Sequence, residues 1–94
     1  MFFVYIIGSK SKKKFGNHGG FYTYVGWTND LENRLKAHNS GIGAKSTRGR
    51  QWELLYVERH RNRSEAMSRE WQLKRDRKFR QNLREILLEI DSLH

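Results

Sequence analysis

The chain has 94 residues, a size that fits one small domain with a single core. Only 36% of the residues are hydrophobic, so the three Trp, four Tyr and five Phe are expected to supply much of the buried surface. The 19 Lys and Arg against 10 Asp and Glu give a formal net charge of +9, which predicts a polyanionic partner such as nucleic acid. A membrane surface is the competing partner. It is disfavoured because the basic residues are spread over loops and several elements instead of lining one amphipathic helix.

Composition also bears on the compartment. The chain has no cysteine, which excludes disulfides and Cys-based zinc sites. The apolar start Met1–Ile7 lacks a basic leader and a small-residue cleavage site, so it predicts a strand and not a signal peptide. No segment approaches the ~20 apolar residues that a transmembrane helix needs. A cytoplasmic protein is therefore expected.

The first part of the chain predicts two paired strands. Phe2–Ile7 is rich in β-branched and aromatic residues, which is typical of a central strand buried on both faces. Phe21–Trp27 alternates between two faces and predicts a second, antiparallel strand. The Gly- and Lys-rich segment Gly8–Gly20 is expected to be the loop that connects them.

A helix should follow the second strand. Asn29 or Asp30 is the expected N-cap, and Leu31 and Leu35 mark the buried side. The segment Gly41–Arg50 then reads as a second loop rich in glycine and basic residues.

The last part of the chain predicts one strand and two helices. Gln51–Arg59 is the predicted third strand. One of its faces is expected to carry Trp52, Leu54 and Tyr56, and the other Glu53, Leu55 and Val57. Asn62 or Ser64 should cap a helix that runs to about Lys74. A final amphipathic helix is marked by residues at helical spacing: Phe79, Leu83, Ile86, Leu87 and Ile90. No Pro or Gly marks the boundary between these two helices.

Glu70 is the most informative carboxylate. It is expected on the same helix face as three apolar residues, Ala66, Met67 and Leu73. A carboxylate buried there must be paired or hold a metal ion, and Mg²⁺ needs only one or two carboxylates beside water and phosphate oxygens. The alternative is a Glu at the margin of the helix, paired with Arg63 or Lys74.

Arg34 and His38 lie one helical turn apart and share a side of the predicted helix. Arginine can clamp a phosphate and stabilise the charge that develops on it, and histidine can accept a proton or hold a phosphate. The alternatives are a surface ion pair of Arg34 with Glu32 or Asp30, and a His38 that interacts with the helix dipole.

The strand tyrosines Tyr5, Tyr22 and Tyr24 have two interpretations. Most strand tyrosines are core residues with a hydrogen-bonded hydroxyl. A phenol close to a metal ion and an arginine can instead act as general base.

Basic loop residues are the expected nucleic-acid contacts. They are Lys12, Lys13, Lys14, Lys45, Thr47, Arg48 and Arg50. Their alternative is a solvated surface. Tyr22, Trp27 and Trp52 are candidate surfaces on which bases stack.

The order of these elements resembles the GIY-YIG nuclease superfamily, and within it the small stand-alone bacterial members. The matching segments are Val4-Tyr5-Ile6, Tyr24-Val25-Gly26, Gly26–Leu31, Arg34–Asn39, Gly43–Lys45, Thr47–Arg50, Arg63–Ala66, Arg69-Glu70 and Leu73-Lys74. Val4 stands where the motif's name has Gly, and Trp27 stands where some members carry Lys. The resemblance covers about 2–77 of a single domain 1–94, with the C-terminal amphipathic helix at about 79–93.

The resemblance implies an α+β fold, a small three-stranded antiparallel sheet flanked by helices. It also implies hydrolysis of DNA phosphodiesters with one divalent ion, Mg²⁺ or Mn²⁺, bound by Glu70. Tyr5 or Tyr24 would be the general base, Arg34 would steady the transition state, and His38 would assist. We expect structure-selective rather than sequence-selective cutting by a monomer or weak homodimer.

Two other functions fit the same residues. One is a nucleic-acid-binding module, on DNA or RNA, without catalysis. The other is an interaction protein whose last helix docks on a larger enzyme. The nuclease hypothesis requires that Tyr5, Tyr24, Arg34 and Glu70 converge on one pocket.

Overall fold

The computed structural model describes residues 1–10 and 21–92, and these form an antiparallel sheet with helices on both faces. The strands are β1 (Phe2–Lys10), β2 (Phe21–Thr28) and β3 (Glu53–His60), in the order β2-β1-β3. The helices are α1 (Leu31–Ser40), α2 (Arg63–Arg75) and α3 (Arg77–Ser92), with a short 3-10 helix at Lys45–Thr47. The predicted α+β class with a three-stranded antiparallel sheet is confirmed.

Strand β1 lies in the centre and pairs antiparallel with both neighbours. It extends to Lys10, beyond the predicted end at Ile7, and the rest of the expected loop, 11–20, lies outside the described residues. Val4, Tyr5 and Ile6 are all essentially inaccessible to solvent, as expected of a strand covered on both faces.

The two faces of the sheet carry two separate apolar clusters. On the side of α2 and α3 the buried members are Val4, Ile6, Val25, Ala66 and Leu73. On the side of α1 they are Tyr5, Ile7 and Trp52, with Tyr24, Leu31 and Leu35 packed against them. The central strand therefore supplies alternate residues to the two clusters. The alternation along β1 places Tyr5 on the side of α1.

Strand β3 contains an irregularity that sequence periodicity did not indicate. Ile6 pairs with Tyr56 but Ile7 pairs with Leu54, so Leu55 is an extra residue opposite β1. Such a bulge interrupts the period of two. The predicted strict alternation is therefore wrong: Trp52 packs on the side of α1, whereas Leu55 and Tyr56 both pack on the side of α2.

Each helix begins at a side chain that accepts a backbone hydrogen bond. Asp30 caps α1 through Asn33 N at 3.2 Å, and Asn62 caps α2 through Glu65 N at 2.9 Å. Asp76 accepts from Phe79 N at 3.0 Å and lies between α2 and α3. The boundary that the sequence left open is thus set by an aspartate cap, without Pro or Gly.

Helix α2 is held against β3 by a polar cluster around Glu58. Its carboxylate contacts the Tyr56 hydroxyl at 2.5 Å, His60 Nε2 at 2.8 Å and Arg69 Nε at 2.7 Å. Burial alone would raise the pKa of Glu58, but hydrogen bonds from Tyr56, His60 and Arg69 outweigh it and hold the pKa below its usual range. Arg69 directly precedes Glu70, so this contact fixes the rotation of α2 and the direction in which Glu70 points.

The apolar faces of the helices differ from the sequence pattern in two places. Met67 is 46% exposed, whereas Ala66 and Leu73 are buried, so Met67 lies outside the buried part of the expected helix face. On α3, Phe79 and Leu83 pack against the core while Ile86 is exposed, and the side chain of Ile90 lies outside the described residues. Within 1–10 and 21–92, no helix is both long and apolar enough to cross a membrane.

Leu73 should be a principal source of stability, because its side chain is fully buried between α2 and the sheet. We expect Leu73→Ala to lower the free energy of unfolding by about 2–5 kcal/mol, from lost apolar burial and a residual cavity. Leu54→Ala is the matched control, since Leu54 is 40% exposed. Urea denaturation of both variants measures the difference, and equal losses would contradict the assigned core.

Candidate active site

A cleft of about 570 Å³ opens where strand β2 runs into helix α1. Its lining includes the four residues expected to converge: Tyr5, Tyr24, Arg34 and Glu70. Because β2 is an edge strand, side chains from both faces of the sheet meet there. Two phenols, one guanidinium and one carboxylate therefore share a single solvent-accessible space.

Behind the cleft, a chain of hydrogen bonds connects Tyr5 to the loop after α1. The Tyr5 hydroxyl lies 2.8 Å from His38 Nε2, and His38 Nδ1 lies 2.8 Å from Thr47 Oγ1. Thr47 donates its one hydroxyl proton to the Ala44 carbonyl at 2.8 Å. Thr47 Oγ1 must then accept from His38 Nδ1–H, which leaves Nε2 of a neutral imidazole as acceptor for the Tyr5 proton.

The charge states of His38 and Tyr5 follow from their burial. Burial, and secondarily the positive charge of Arg34, lower the pKa of His38, so the imidazole is neutral at physiological pH. Burial raises the pKa of Tyr5 to about 12, although a hydrogen bond from Arg34 opposes this increase. Tyr5 is therefore a neutral phenol whose only proton is directed at His38.

Arg34 connects the two tyrosines on the cleft side. Its hydrogen bond to Tyr5, and a weaker one to Tyr24, raise the pKa of the guanidinium despite its partial burial. Arg34 is thus a permanent cation pointing at the phenolic oxygens. The alternative was an ion pair of Arg34 with Glu32 or Asp30. In the structure both carboxylate oxygens of Asp30 accept from Asn33, and Glu32 pairs with Lys36.

Gly26 makes this arrangement of rings possible. It pairs with Tyr5 across the β1–β2 ladder, and a Cβ at Gly26 would lie 2.5 Å from the Tyr5 hydroxyl and 2.7 Å from Cζ. Any side chain at this position would displace the Tyr5 ring. The glycine of the second tyrosine motif therefore has a packing role.

Glu70 supplies the one carboxylate among the described residues that line the cleft. Its side chain is 19% exposed and contacts Lys74 Nζ at 2.8 Å. Within 1–10 and 21–92, no three His, Cys, Asp or Glu residues cluster as a protein cage for a metal ion. A single carboxylate in an open polar cleft fits Mg²⁺ or Mn²⁺, which keep most of their ligands as water and substrate oxygens.

The expected nucleic-acid contacts differ in how exposed they are in the structure. Lys45 and Arg48 are exposed, and Arg50 lies over the Tyr22 ring at 3.7 Å. Thr47 is fully buried and its hydroxyl is committed to His38 and Ala44, so its expected role as a phosphate contact is wrong. Lys12, Lys13 and Lys14 lie outside the described residues.

Trp52 also departs from its expected role. It is 5% exposed, and its indole N–H donates to the Thr47 carbonyl at 2.8 Å, so it offers no stacking surface. Its backbone N–H donates to Asn39 Oδ1 at 2.6 Å. Trp52 and Asn39 together hold the loop that presents Thr47 to His38.

Two further residues of the site were not assigned to it from sequence. Arg63 lines the cleft, with its guanidinium 5.2 Å from the Trp27 ring centroid. Gly43 packs so closely that a Cβ there would lie 2.6 Å from His38 Nδ1. Arg63 could have been assigned from its position next to the Asn62 cap. This position lies one helical turn before Met67 and two turns before Glu70.

Gly26→Ala should disturb Tyr5 directly. We expect the added methyl group to lower the free energy of unfolding by about 1–3 kcal/mol through overpacking against a buried ring. Gly49→Ala is the control for a strained backbone without a clash, since Gly49 has φ +79° and a Cβ there meets no atom within 4 Å. A Gly26→Ala variant no less stable than Gly49→Ala in urea would contradict the close approach.

His38 should make stability depend on pH in a defined direction. Its folded-state pKa is lowered, so the unfolded chain takes up a proton near the ordinary value of about 6.5 while the native state resists it. The free energy of unfolding should therefore be highest above that pH and decrease as the pH falls through the lowered pKa.

His38→Gln removes this titration, so its stability should change less between pH 7 and pH 5 than that of the wild type. Urea denaturation at several pH values measures both slopes. Parallel slopes would show that His38 does not carry the effect.

Comparison with known proteins places this geometry in a family. The model of the GIY-YIG catalytic domain matches residues 1–83. A UPF0213 protein of Clostridium perfringens is 46% identical over 76 residues, which cover 80% of this chain and 72% of that protein. A UPF0213 protein of Oceanobacillus iheyensis is 51% identical over 57 residues, covering 60% of this chain and 66% of that protein.

A third relative, the UPF0213 protein YazA of Bacillus subtilis, is 45% identical over 53 residues, which cover 55% of this chain and 54% of that protein. The match thus spans about half the length of some of these curated relatives. No solved structure matches the chain significantly. The domain model covers most of the chain, and the tyrosine motifs meet in one cleft: the chain belongs to the GIY-YIG family.

Proposed function

We propose that the protein is a metal-dependent endonuclease that hydrolyses DNA phosphodiester bonds. One observation carries the proposal: the Tyr5 hydroxyl bonds to His38, and Tyr5 also lines the cleft that holds Arg34 and Glu70. A base, a cation and a metal-binding carboxylate around one space are what hydrolysis of a phosphodiester requires.

Tyr5 is the proposed general base, and His38 is the group that receives its proton. Because the Tyr5 proton is directed at His38 and Arg34 donates to the same oxygen, one lone pair of the phenolic oxygen is left for a further donor. A water molecule in the cleft donates a hydrogen bond to this oxygen. As the oxygen of the water bonds to phosphorus, the bond from phosphorus to the leaving oxygen breaks, and that oxygen takes a proton from solvent. The proton of the attacking water moves to Tyr5, and the Tyr5 proton moves to His38 Nε2.

The chain of hydrogen bonds makes His38 a suitable acceptor. In the resulting imidazolium, Nδ1–H still donates to Thr47, whose oxygen is oriented by its own bond to Ala44. Burial, and secondarily the positive charge of Arg34, lower the pKa of His38 and so limit how long the imidazolium persists. The proton is therefore returned readily after the reaction.

Arg34 and Glu70 provide the electrostatic part of the proposal. Arg34 faces the cleft and stabilises negative charge that accumulates on the phosphoryl oxygens in the transition state. Glu70 would hold the divalent ion, which when bound supplies charge neutralisation and polarises the phosphate. Tyr24, whose ring lies 4.9 Å from that of His38, keeps the imidazole in place.

The expected selectivity is for DNA structure and not for base sequence. The described cleft is lined by tyrosines, an aromatic pair and cations, and such groups read phosphates and unstacked bases. Branched, nicked or single-stranded sites present both. A domain of 94 residues can contact only a few base pairs, which limits direct readout.

A second candidate is a nucleic-acid-binding module without turnover. The observation that favours it is the ion pair between Glu70 and Lys74, which already satisfies the carboxylate. In that case binding to DNA or RNA would need no metal ion and would survive the loss of Glu70.

Cleavage of labelled duplex, nicked and branched DNA, with Mg²⁺ or Mn²⁺ and with a chelator, tests the proposal. Wild-type protein should cut only with metal, Glu70→Gln should be inactive, and Tyr5→Phe should lose roughly 10²–10⁴-fold in rate with the loss of the base. Tyr56→Phe and Glu32→Gln are matched controls. Tyr56 lies on the other face of the sheet, and Glu32 pairs with Lys36 at the surface.

Two outcomes would count against the nuclease. Activity of Glu70→Gln equal to that of the wild type would exclude Glu70 as the metal ligand. Tight metal-independent binding without any cutting, by wild type and Glu70→Gln alike, would favour the second candidate.

A further inference from the structure

A second basic pocket lies between helix α3 and strand β2, apart from the cleft. It encloses about 370 Å³ and is lined by Thr23, Arg77, Arg80, Gln81 and Arg84. None of these five residues lines the candidate active site. Basic contacts were expected in the loops Gly8–Gly20 and Gly41–Arg50, but no described residue of either loop lines this pocket.

Helical spacing explains why these side chains meet. Arg77, Arg80, Gln81 and Arg84 are three, four and seven positions apart, and so share one face of α3. Guanidinium groups that share one helix face concentrate positive charge, which attracts an anion. Within the described part of the chain, the residues lining the pocket include no Asp or Glu.

Arg80 provides an independent observation. Its Nε is buried, and no acceptor for it exists among residues 1–10 and 21–92. Buried donors are nearly always paired, so an orphaned one points to a partner beyond these described residues, and an anion in the pocket is one such partner. Guanidinium, amide and hydroxyl donors around one space match the oxygens of a phosphate group.

We propose that this pocket binds a backbone phosphate of the nucleic acid whose scissile phosphate lies in the cleft. The inference rests on the proposed function for its ligand and adds a second anchoring point. Thr23 and Trp27 lie on the same side of β2, four residues apart, and thus about 13 Å along the strand. Phosphates of one bound nucleic-acid strand, which are spaced about 3.4 Å apart along a duplex axis, can span this distance.

Fluorescence anisotropy with labelled 12-nucleotide single strands and duplexes, in a chelator to prevent turnover, tests the pocket. Arg80→Gln and Arg77→Gln should weaken binding roughly three- to tenfold and reduce the salt slope by about one. Arg61→Gln is the matched control. It removes the same charge from an exposed residue that lines none of the three described pockets, and it should change both quantities less.

Arg77 is exposed, so Arg77→Gln tests the pocket even if Arg80→Gln does not fold. A parallel thermal-unfolding series compares inorganic phosphate with chloride at equal ionic strength. Equal oligonucleotide affinities and salt slopes for Arg77→Gln, Arg80→Gln and Arg61→Gln would overturn the proposal. This conclusion would hold even if inorganic phosphate raised the unfolding temperature of the wild type, because the pocket would then bind a free ion and not nucleic acid.

The test also separates the pocket from the nuclease. Arginine-dependent oligonucleotide binding by a protein that never cuts DNA with Mg²⁺ would refute the nuclease and support the pocket. Metal-dependent cutting together with unchanged binding by Arg77→Gln and Arg80→Gln would refute the pocket and support the nuclease.

Discussion

The hydrogen bond between Tyr5 and His38 is the constraint around which the rest of the site is arranged. Both groups are buried, and a buried polar group left unpaired costs about 1–3 kcal/mol. His38 must therefore find a second partner, which is Thr47, and Thr47 in turn needs the Ala44 carbonyl. The loop after α1 folds back over the helix end to satisfy this sequence of bonds, and Gly43 gives it the space to do so.

Tyr5 and His38 are thus core residues and members of the proposed site at the same time. Tyr5 belongs to the apolar cluster under α1 and also borders the cleft. The burial that stabilises the sheet keeps the imidazole neutral and the phenol protonated at neutral pH. The stability of the domain and the protonation states of these two groups are thus coupled, so that a substitution at Tyr5 or His38 alters both.

Much of the fold could be predicted from the sequence, because the strands carry strong local signals. The central strand, its antiparallel partner and the convergence of Arg34 and Glu70 on the tyrosines followed from residue patterns and from the family resemblance. The buried hydrogen bonds of Thr47 and Trp52 could not be predicted, because they depend on tertiary packing that the composition of a basic loop does not indicate. The bulge at Leu55 likewise adds one residue without any change in composition.

The edge position of β2 has a consequence beyond the cleft. An edge strand offers unpaired amide and carbonyl groups, to which a strand of another molecule can add, and this is a common route to aggregation. Here the two ends of that edge are flanked by guanidinium groups, Arg34 and Arg63 at one and Arg80 at the other. Two copies that approached along this edge would bring like charges together, which opposes pairing of their edge strands.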